Sequence, residues 1–148
     1  MVGQNKIKAL RLVERISRHK LETLGSELGR LRALQSALDC QRTQLTERAE
    51  AEARRSTNDT RPYLSKYLTS VDDQQRVWAK EAELLQEQAA HLEADILGAF
   101  GELKTRETIR ERAERHQAQE VARAETSGLD EAGRILFLTK KATESQKR

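Results

Sequence analysis

The first third of the chain carries a seam of mainly apolar residues at steps that alternate between three and four positions. Its leucines are concentrated between Leu21 and Leu45. The seam positions are Ile7, Leu10, Glu14, Ser17, Leu21, Leu24, Leu28, Leu31, Gln35, Leu38, Arg42, Leu45 and Ala49. This heptad spacing is typical of a coiled-coil helix. Because no proline interrupts it, the pattern predicts one helix from about residue 5 to about residue 55, roughly 75 Å long.

A cluster of turn-forming residues, 56–60, follows this seam and precedes Pro62, the only proline. Serine, threonine, asparagine and aspartate favour turns and helix caps, and proline is tolerated in the first turn of a helix. We therefore expect the chain to reverse at about residues 56–62. Asp59 or Thr60 is the expected N-cap of a second helix.

The second helix is predicted from about residue 62 to about residue 126. Its seam positions are Leu64, Tyr67, Val71, Gln74, Trp78, Glu81, Leu85, Gln88, Leu92, Ile96, Ala99 and Leu103. Two consecutive four-residue steps from Gln88 to Ile96 predict a stutter, which locally relaxes the supercoil. Ser127 resembles a helix cap, and Gly128 resembles a break. Beyond residue 126 we therefore expect one of two arrangements, each reaching about residue 142. Either the second helix continues, with or without a kink, or a short third segment follows it.

Two long helices joined by a short turn predict an all-α fold: a long antiparallel two-helix coiled-coil hairpin, forming a rod and a single domain over residues 1–148. Because the second helix is longer, we expect both chain ends to lie at the same extremity of the rod. Two glycine pairs, Gly25 with Gly29 and Gly98 with Gly101, predict either a close approach of the two helix backbones or a bend.

Charge distinguishes the ends of the chain from its middle. Residues 1–20 carry +5 and residues 134–148 carry +4, and the whole chain carries +3, so residues 21–133 carry −6. Apolar residues make up 36% of the chain, which is low for a compact domain of this length and argues against an enclosed pocket. The hairpin therefore predicts a basic open end and an aromatic turn end.

The sequence predicts no catalytic, cofactor or metal site. His19, His91 and His116 lack a metal-ligand spacing, and there is no phosphate-binding glycine loop or nucleophile motif. Cys40 is the only cysteine, so no internal disulfide can form. No apolar run approaches the roughly 20 residues that span a bilayer, and no signal peptide is visible, so we expect a cytoplasmic protein.

The turn end is unusual because it holds three of the five aromatic residues, Tyr63, Tyr67 and Trp78. These residues allow two interpretations. The aromatics fill the closed end of the hairpin, or they face outward as anchors for a partner, as tyrosine and tryptophan often do. Tyr63 lies off the predicted seam, which favours the second interpretation for that residue.

Two segments resemble the FliJ/YscO family, the coiled-coil stalk proteins of bacterial flagellar and type III secretion export machines. The segment LDEAGRILFLTKKA, residues 129–142, is similar to the C-terminal segment of that family. The segment YLTSVDDQQRVW, residues 67–78, lies where the family has an aromatic and apolar surface just after the turn. The length, the two-helix layout and the turn position agree over the whole chain.

The resemblance implies a non-enzymatic stalk whose open end enters the pore of the hexameric export ATPase and whose turn end reaches the cytoplasmic domain of the export gate. Some members of the family escort secretion chaperones. The gate-binding or client-binding residues it implies are Tyr63, Tyr67, Val71, Gln74 and Trp78, with Gln74 replacing a small apolar residue. The pore-binding residues it implies are Lys6, Lys8, Arg11, Arg15, Phe137, Leu138, Lys140 and Lys141.

The same resemblance implies a location in the cytoplasm, at the cytoplasmic face of the membrane-embedded machine, in either a flagellar or a virulence system. An alternative from a different class is a coiled-coil chaperone or adaptor that grips clients at the aromatic turn end. A nucleic-acid-binding helical arm is a third possibility, but the basic end lacks interleaved aromatics and any known binding motif. We therefore expect no nucleic acid partner and no direct insertion into a membrane.

Overall fold

Two long α-helices make up almost all of the protein. The structure, a computed structural model, describes residues 2–147, in which α1 spans Val2–Arg55 and α2 spans Arg61–Gln146. The two helices pack against each other, and the described residues contain no strand. The predicted all-α helical hairpin is therefore confirmed.

The turn between the helices is held by two threonines. The backbone amides of Thr60 and Arg61 both donate to the Thr57 carbonyl at 3.1 Å, and the Leu64 amide donates to the Thr60 carbonyl at 3.0 Å. Thr60 therefore occupies the expected N-cap position of α2. Its hydroxyl, however, accepts from the Thr57 amide at 2.9 Å and donates to the Thr57 carbonyl, so it closes the turn rather than capping the helix.

The α1 seam is where the heptad pattern places it. Every predicted position from Ile7 to Ala49 is buried or half-buried, including the polar positions Glu14 and Ser17. Leucine supplies the most deeply buried members in the middle of the helix, with Leu31 and Leu38 almost fully covered.

The α2 seam differs from the prediction at three positions. Gln74, Glu81 and Gln88 are exposed, and in each case the next residue along the chain is buried or half-buried instead. The observed seam positions are Leu64, Leu68, Val71, Gln75, Trp78, Ala82, Leu85, Ala89, Leu92, Ile96, Ala99 and Leu103, and the predicted Tyr67 is also half-buried beside Leu68. These positions alternate regularly between steps of four and three, so the predicted stutter is wrong. Ala82 and Ala89 take the places predicted for Glu81 and Gln88, and Gln75 takes that of Gln74.

Of the alternatives expected from glycine, a close approach of the helices at the glycine pairs is wrong, and continuation of the second helix past Gly128 is correct. A Cβ atom built on Gly25, Gly29, Gly98 or Gly101 would meet no atom of another residue within 4 Å, so these glycines do not mark a close approach of the helices. Near the C-terminus, α2 continues without interruption past Gly128 as far as Gln146. The described residues therefore contain no third segment.

The chain divides into two compact units. One unit runs from Ser17 to Gly101 and contains the turn, and the other joins α1 up to Ile16 to α2 from Glu102 onward. In the second unit, a Cβ on Gly3 would lie 3.8 Å from the Gln117 side chain, so α1 begins beside Gln117. From Ala118 onward every described residue of α2 is exposed. We call residues 118–146 the α2 extension.

The α2 extension corrects the expectation that both basic ends lie together. The first helix has 54 residues and the second has 86, so antiparallel pairing from the turn leaves the end of α2 without a partner in α1. Phe137 is twenty positions beyond Gln117, which corresponds to about 30 Å along a helix. The basic residues of α1 therefore lie far from the basic residues at the end of α2.

Candidate partner-binding surfaces

The turn end carries a groove with an exposed tyrosine, which we call the tip groove. Its volume is about 320 Å³, and it is lined by Glu52, Arg55, Ser56, Thr60, Tyr63, Leu64 and Tyr67. Tyr63 is 75% exposed, whereas Tyr67 is half-buried. Two phenol rings beside one carboxylate and one guanidinium give this groove both apolar and charged walls.

The predicted gate-binding residues are placed in three different environments. Tyr63 and Gln74 are exposed, Tyr67 and Trp78 are half-buried, and Val71 is only 7% exposed. They therefore do not form one continuous outward stripe, because the seam side of α2 takes Val71 and part of Trp78. While α1 and α2 remain paired, the side chains accessible to a partner are those of Tyr63 and Gln74 and parts of the Tyr67 and Trp78 rings.

Gln75, which the sequence reasoning missed, joins the two helices in the turn-containing unit. Its side-chain amide donates to the Arg42 carbonyl at 3.0 Å and to the Thr46 hydroxyl at 3.1 Å. The neighbouring Gln74 makes no such contact in the described structure and is exposed. A strict alternation of four and three from Val71 would have found this position, because it selects Gln75 and then Trp78.

An ion-pair cluster lies between the helices in the second unit, beside the buried apolar residues Ile7 and Leu103. Glu14, only 6% exposed, accepts from the Arg110 guanidinium. Glu114 accepts from the second arm of Arg110 at 2.9 Å and from Arg11 at 2.9 Å. A buried ion pair fixes which residues face each other but does not guarantee a large gain in stability, since both charges lose water. The cluster therefore sets which residues of the two helices face each other in this unit.

The cluster shifts two pKa values. Hydrogen bonding to Glu14 is the largest of the causes that raise the pKa of Arg110 above its usual value. The pKa of Glu114 lies below its usual value of 4.5, chiefly because Arg11 hydrogen-bonds to the carboxylate, with the positive charge of Arg110 adding to the effect and burial opposing it. Both shifts favour the charged forms that make the ion pairs.

Acid is expected to weaken this cluster through Glu114. Its folded pKa is depressed, so its contribution to stability is complete above about pH 4.5 and is lost as the pH falls through the folded value. We expect a Glu114→Gln variant to melt at a lower temperature than the wild type at pH 7. The difference should shrink towards zero as the pH falls through the folded pKa of Glu114, as measured by circular dichroism. Glu120→Gln is the matched control, since Glu120 is exposed and pairs only with His116 at 3.6 Å among the described contacts. A difference in melting temperature between Glu114→Gln and wild type that does not shrink as the pH is lowered contradicts the assignment.

A second groove lies where α1 begins, and we call it the open-end groove. Its volume is about 620 Å³, and its floor includes Ile7, Ala118, Val121 and Ala122. Its rim carries Lys8 and Arg11 from α1 and Glu114 and Glu125 from α2. The groove therefore joins the end of the paired helices to the start of the α2 extension.

The α2 extension exposes a ring of large apolar side chains. Ile135, Leu136, Phe137 and Leu138 are 56%, 70%, 65% and 56% exposed. Successive residues of an α-helix are rotated by about 100°, so four consecutive apolar residues surround the helix completely. A helix that is apolar on all sides is normally buried on all sides. We call these four residues the apolar ring.

The predicted pore-binding residues fall into two groups. Phe137, Leu138, Lys140 and Lys141 lie together on the α2 extension, and all are exposed. Lys6, Lys8, Arg11 and Arg15 lie on α1 and are also exposed, but Arg11 is paired with Glu114. The structure thus brings the members of each group together but does not bring the two groups to one site.

Other types of functional site find little support in residues 2–147. His19, His91 and His116 are exposed, and no three His, Cys, Asp or Glu side chains in this part of the chain are placed to hold a metal ion. Neither described helix is long and apolar enough to cross a membrane. Comparisons with protein-family models, with curated proteins and with solved structures gave no match to this chain.

Proposed function

We propose that this chain is a non-enzymatic stalk component of a bacterial type III protein export apparatus, acting at the cytoplasmic face of the membrane-embedded machine. In this proposal it binds the hexameric export ATPase through the α2 extension and the cytoplasmic domain of the export gate through its turn end. The resemblance of residues 67–78 and 129–142 to the FliJ/YscO family suggests this role.

The observation that carries the proposal is the apolar ring. A partner that offers a single flat surface or groove covers at most about half of a helix, so it leaves part of the ring in water. A pore that surrounds the helix covers all four side chains, and each buried leucine-sized side chain is worth about 1.5–3 kcal/mol. Lys140 and Lys141, which follow the ring directly, suit an acidic rim at the pore entrance.

Pore contact is assigned to the α2 extension rather than to both chain ends. The basic residues of α1 lie at least about 30 Å from the ring along the helix direction. Arg11 is also engaged by Glu114 within the hairpin. The α1 group therefore contributes to long-range attraction of an acidic partner, rather than to the contact around the ring.

The tip groove favours a second candidate function, that of a coiled-coil chaperone or adaptor. The exposed Tyr63 and the half-buried Tyr67 and Trp78 offer the kind of aromatic anchors that dominate protein interfaces. In this alternative the clients bind at the turn end, and the α2 extension is not required for their capture.

One experiment tests the stalk proposal and separates it from the alternative. The protein is added to its cognate export ATPase, and ATP turnover and hexamer formation are measured by phosphate release and light scattering. We expect the wild type to raise both, and a chain truncated before residue 134 to raise neither. Tyr63→Ala is the matched control, because it removes an exposed aromatic in the turn-containing unit and leaves the α2 extension intact.

The stalk and the adaptor predict different results. Loss of stimulation with the truncation but not with Tyr63→Ala supports the stalk. If wild type and truncation are equally without effect on the ATPase, the stalk proposal is wrong. Capture of a client that is lost in Tyr63→Ala and Trp78→Ala, but kept by the truncated chain, supports the adaptor instead.

A further inference from the structure

The start of α1 faces a different kind of α2 seam from the rest of that helix. In the turn-containing unit, large apolar residues hold seven of the eleven α2 seam positions: Leu64, Leu68, Val71, Trp78, Leu85, Leu92 and Ile96. In the other unit the α2 seam continues in steps of three and four through Leu103, Arg106, Arg110, Ala113 and Gln117, all buried or half-buried. Only the first of these five is large and apolar. Residues 2–16 therefore bring Ile7 and Leu10 to a seam that is mostly polar or small.

The charged residues of α2 in this unit keep a partner when α1 moves away. Arg110 donates to Glu14 of α1 and, at 2.9 Å, to Glu114 on its own helix. Glu114 also accepts from Arg11 of α1 at 2.9 Å. If α1 separates, Arg110 and Glu114 still pair within α2, and Glu14 and Arg11 regain water. Because separated charges recover their hydration, ion pairs contribute less to holding the helices together than large apolar residues at the same positions.

The α2 helix already does without α1 over part of its length. From Ala118 to Gln146 it is helical although every described residue there is exposed. A longer unpaired stretch therefore requires no new conformation of α2. We propose that residues 2–16 of α1, which we call the α1 clasp, open from α2 while residues 17–101 stay paired. In the open form the unpaired part of α2 begins at Glu102 instead of Ala118.

Opening of the clasp changes both the reach and the charge of this end of the chain. It adds residues 102–117 to the unpaired helix, about 24 Å of length. It also separates Arg11 from Glu114, so Arg11 joins the other exposed basic residues near the start of α1. Ile7 and Leu103, 8% and 5% exposed in the closed form, become accessible to water, which keeps the closed form dominant in the chain alone. The inference does not rest on the export machine, because it concerns the purified chain.

Amide hydrogen exchange of the full chain under native conditions, followed by mass spectrometry, tests whether the clasp opens by itself. Amides of residues 7–16 are expected to exchange at least about tenfold faster than those of residues 21–49, because they need only the local opening. Leu38→Ala lowers the stability of the turn-containing unit, where Leu38 is 6% exposed. This variant should speed exchange over residues 21–49 and leave residues 7–16 unchanged.

A second variant tests whether the polar seam is the cause of the opening. Glu14→Leu combined with Arg110→Leu replaces a buried cross-helix ion pair by two apolar seam residues. It should slow exchange over residues 7–13 by at least about tenfold and leave residues 21–49 unchanged. The matched control is Arg32→Leu combined with Glu93→Leu, which replaces an exposed cross-helix ion pair in the turn-containing unit. This control should leave residues 7–13 unchanged.

Each of three results would overturn the clasp. The first is equal protection of residues 7–16 and 21–49 in the wild type. The second is a Leu38→Ala variant in which both segments accelerate alike, since the hairpin then opens only as a whole. The third is unchanged exchange over residues 7–13 in the Glu14→Leu/Arg110→Leu variant, since the polar seam then does not set the opening. Circular dichroism of each variant checks that both helices are retained.

Discussion

Replacing Leu38 by alanine is expected to lower the free energy of unfolding by about 2–4 kcal/mol. Leu38 is 6% exposed and belongs to the α1 seam, so truncation removes buried methyl groups and leaves a gap between the helices. A two-helix hairpin has no second layer of side chains that could shift to fill such a gap. The loss is measured by urea unfolding followed by circular dichroism at 222 nm.

Leu34 provides the matched control for Leu38. It is the same residue type, one turn earlier on the same helix, but it is 52% exposed. Leu34→Ala is expected to lower the free energy of unfolding by less than about 1 kcal/mol, since most of its side chain is already in water. Equal losses for the two variants would show that α1 does not present its heptad seam to α2.

The α1 seam could be predicted completely because large side chains occupy most of its positions. Once Leu21, Leu24, Leu28 and Leu31 fix the register, the alternation of three and four also places polar residues such as Glu14 correctly. Part of the Glu14–Arg110 ion pair could therefore be predicted from the sequence. The heptad placed Glu14, but the identity of its partner required the pairing of the two helices.

The α2 seam was predicted less well because its members are small. Alanine occurs both in helix-packing seams and on exposed surfaces. Its presence at Ala82 and Ala89 therefore did not mark these residues as seam positions in preference to their neighbours Glu81 and Gln88. At residues 74 and 75 two glutamines stand side by side, and hydrophobicity cannot choose between them. The cross-helix hydrogen bonds from Gln75 to Arg42 and Thr46 make the choice in the folded state.

The unpaired α2 extension followed from information that the sequence already contained. A turn near residue 58 places the start of α1 opposite residues close to 115, and the structure puts Gly3 beside Gln117. The longer second helix therefore had to pass the beginning of the first, rather than end beside it. The sequence could not choose between a continuous helix and a break at Gly128, since glycine lowers helix propensity both there and at Gly133.

The apolar ring makes the strongest functional prediction, because its geometry distinguishes an encircling partner from a one-sided partner. Single substitutions to serine at Ile135, Leu136, Phe137 and Leu138 are to be compared in binding to the cognate ATPase. If a pore surrounds the helix, each of the four should weaken binding by at least about fivefold, equivalent to about 1 kcal/mol. A one-sided groove would instead spare at least one of them, because successive side chains point about 100° apart.

A matched control makes this scan decisive. Leu97→Ser removes a leucine that is 73% exposed, as exposed as those of the ring, but lies in the turn-containing unit, so it should leave ATPase binding unchanged. A scan in which Leu136→Ser alone weakens ATPase binding would mean that the partner covers one side of the α2 extension and does not encircle the helix. The ring would then have no role in the stalk, and the pore assignment would have to be abandoned.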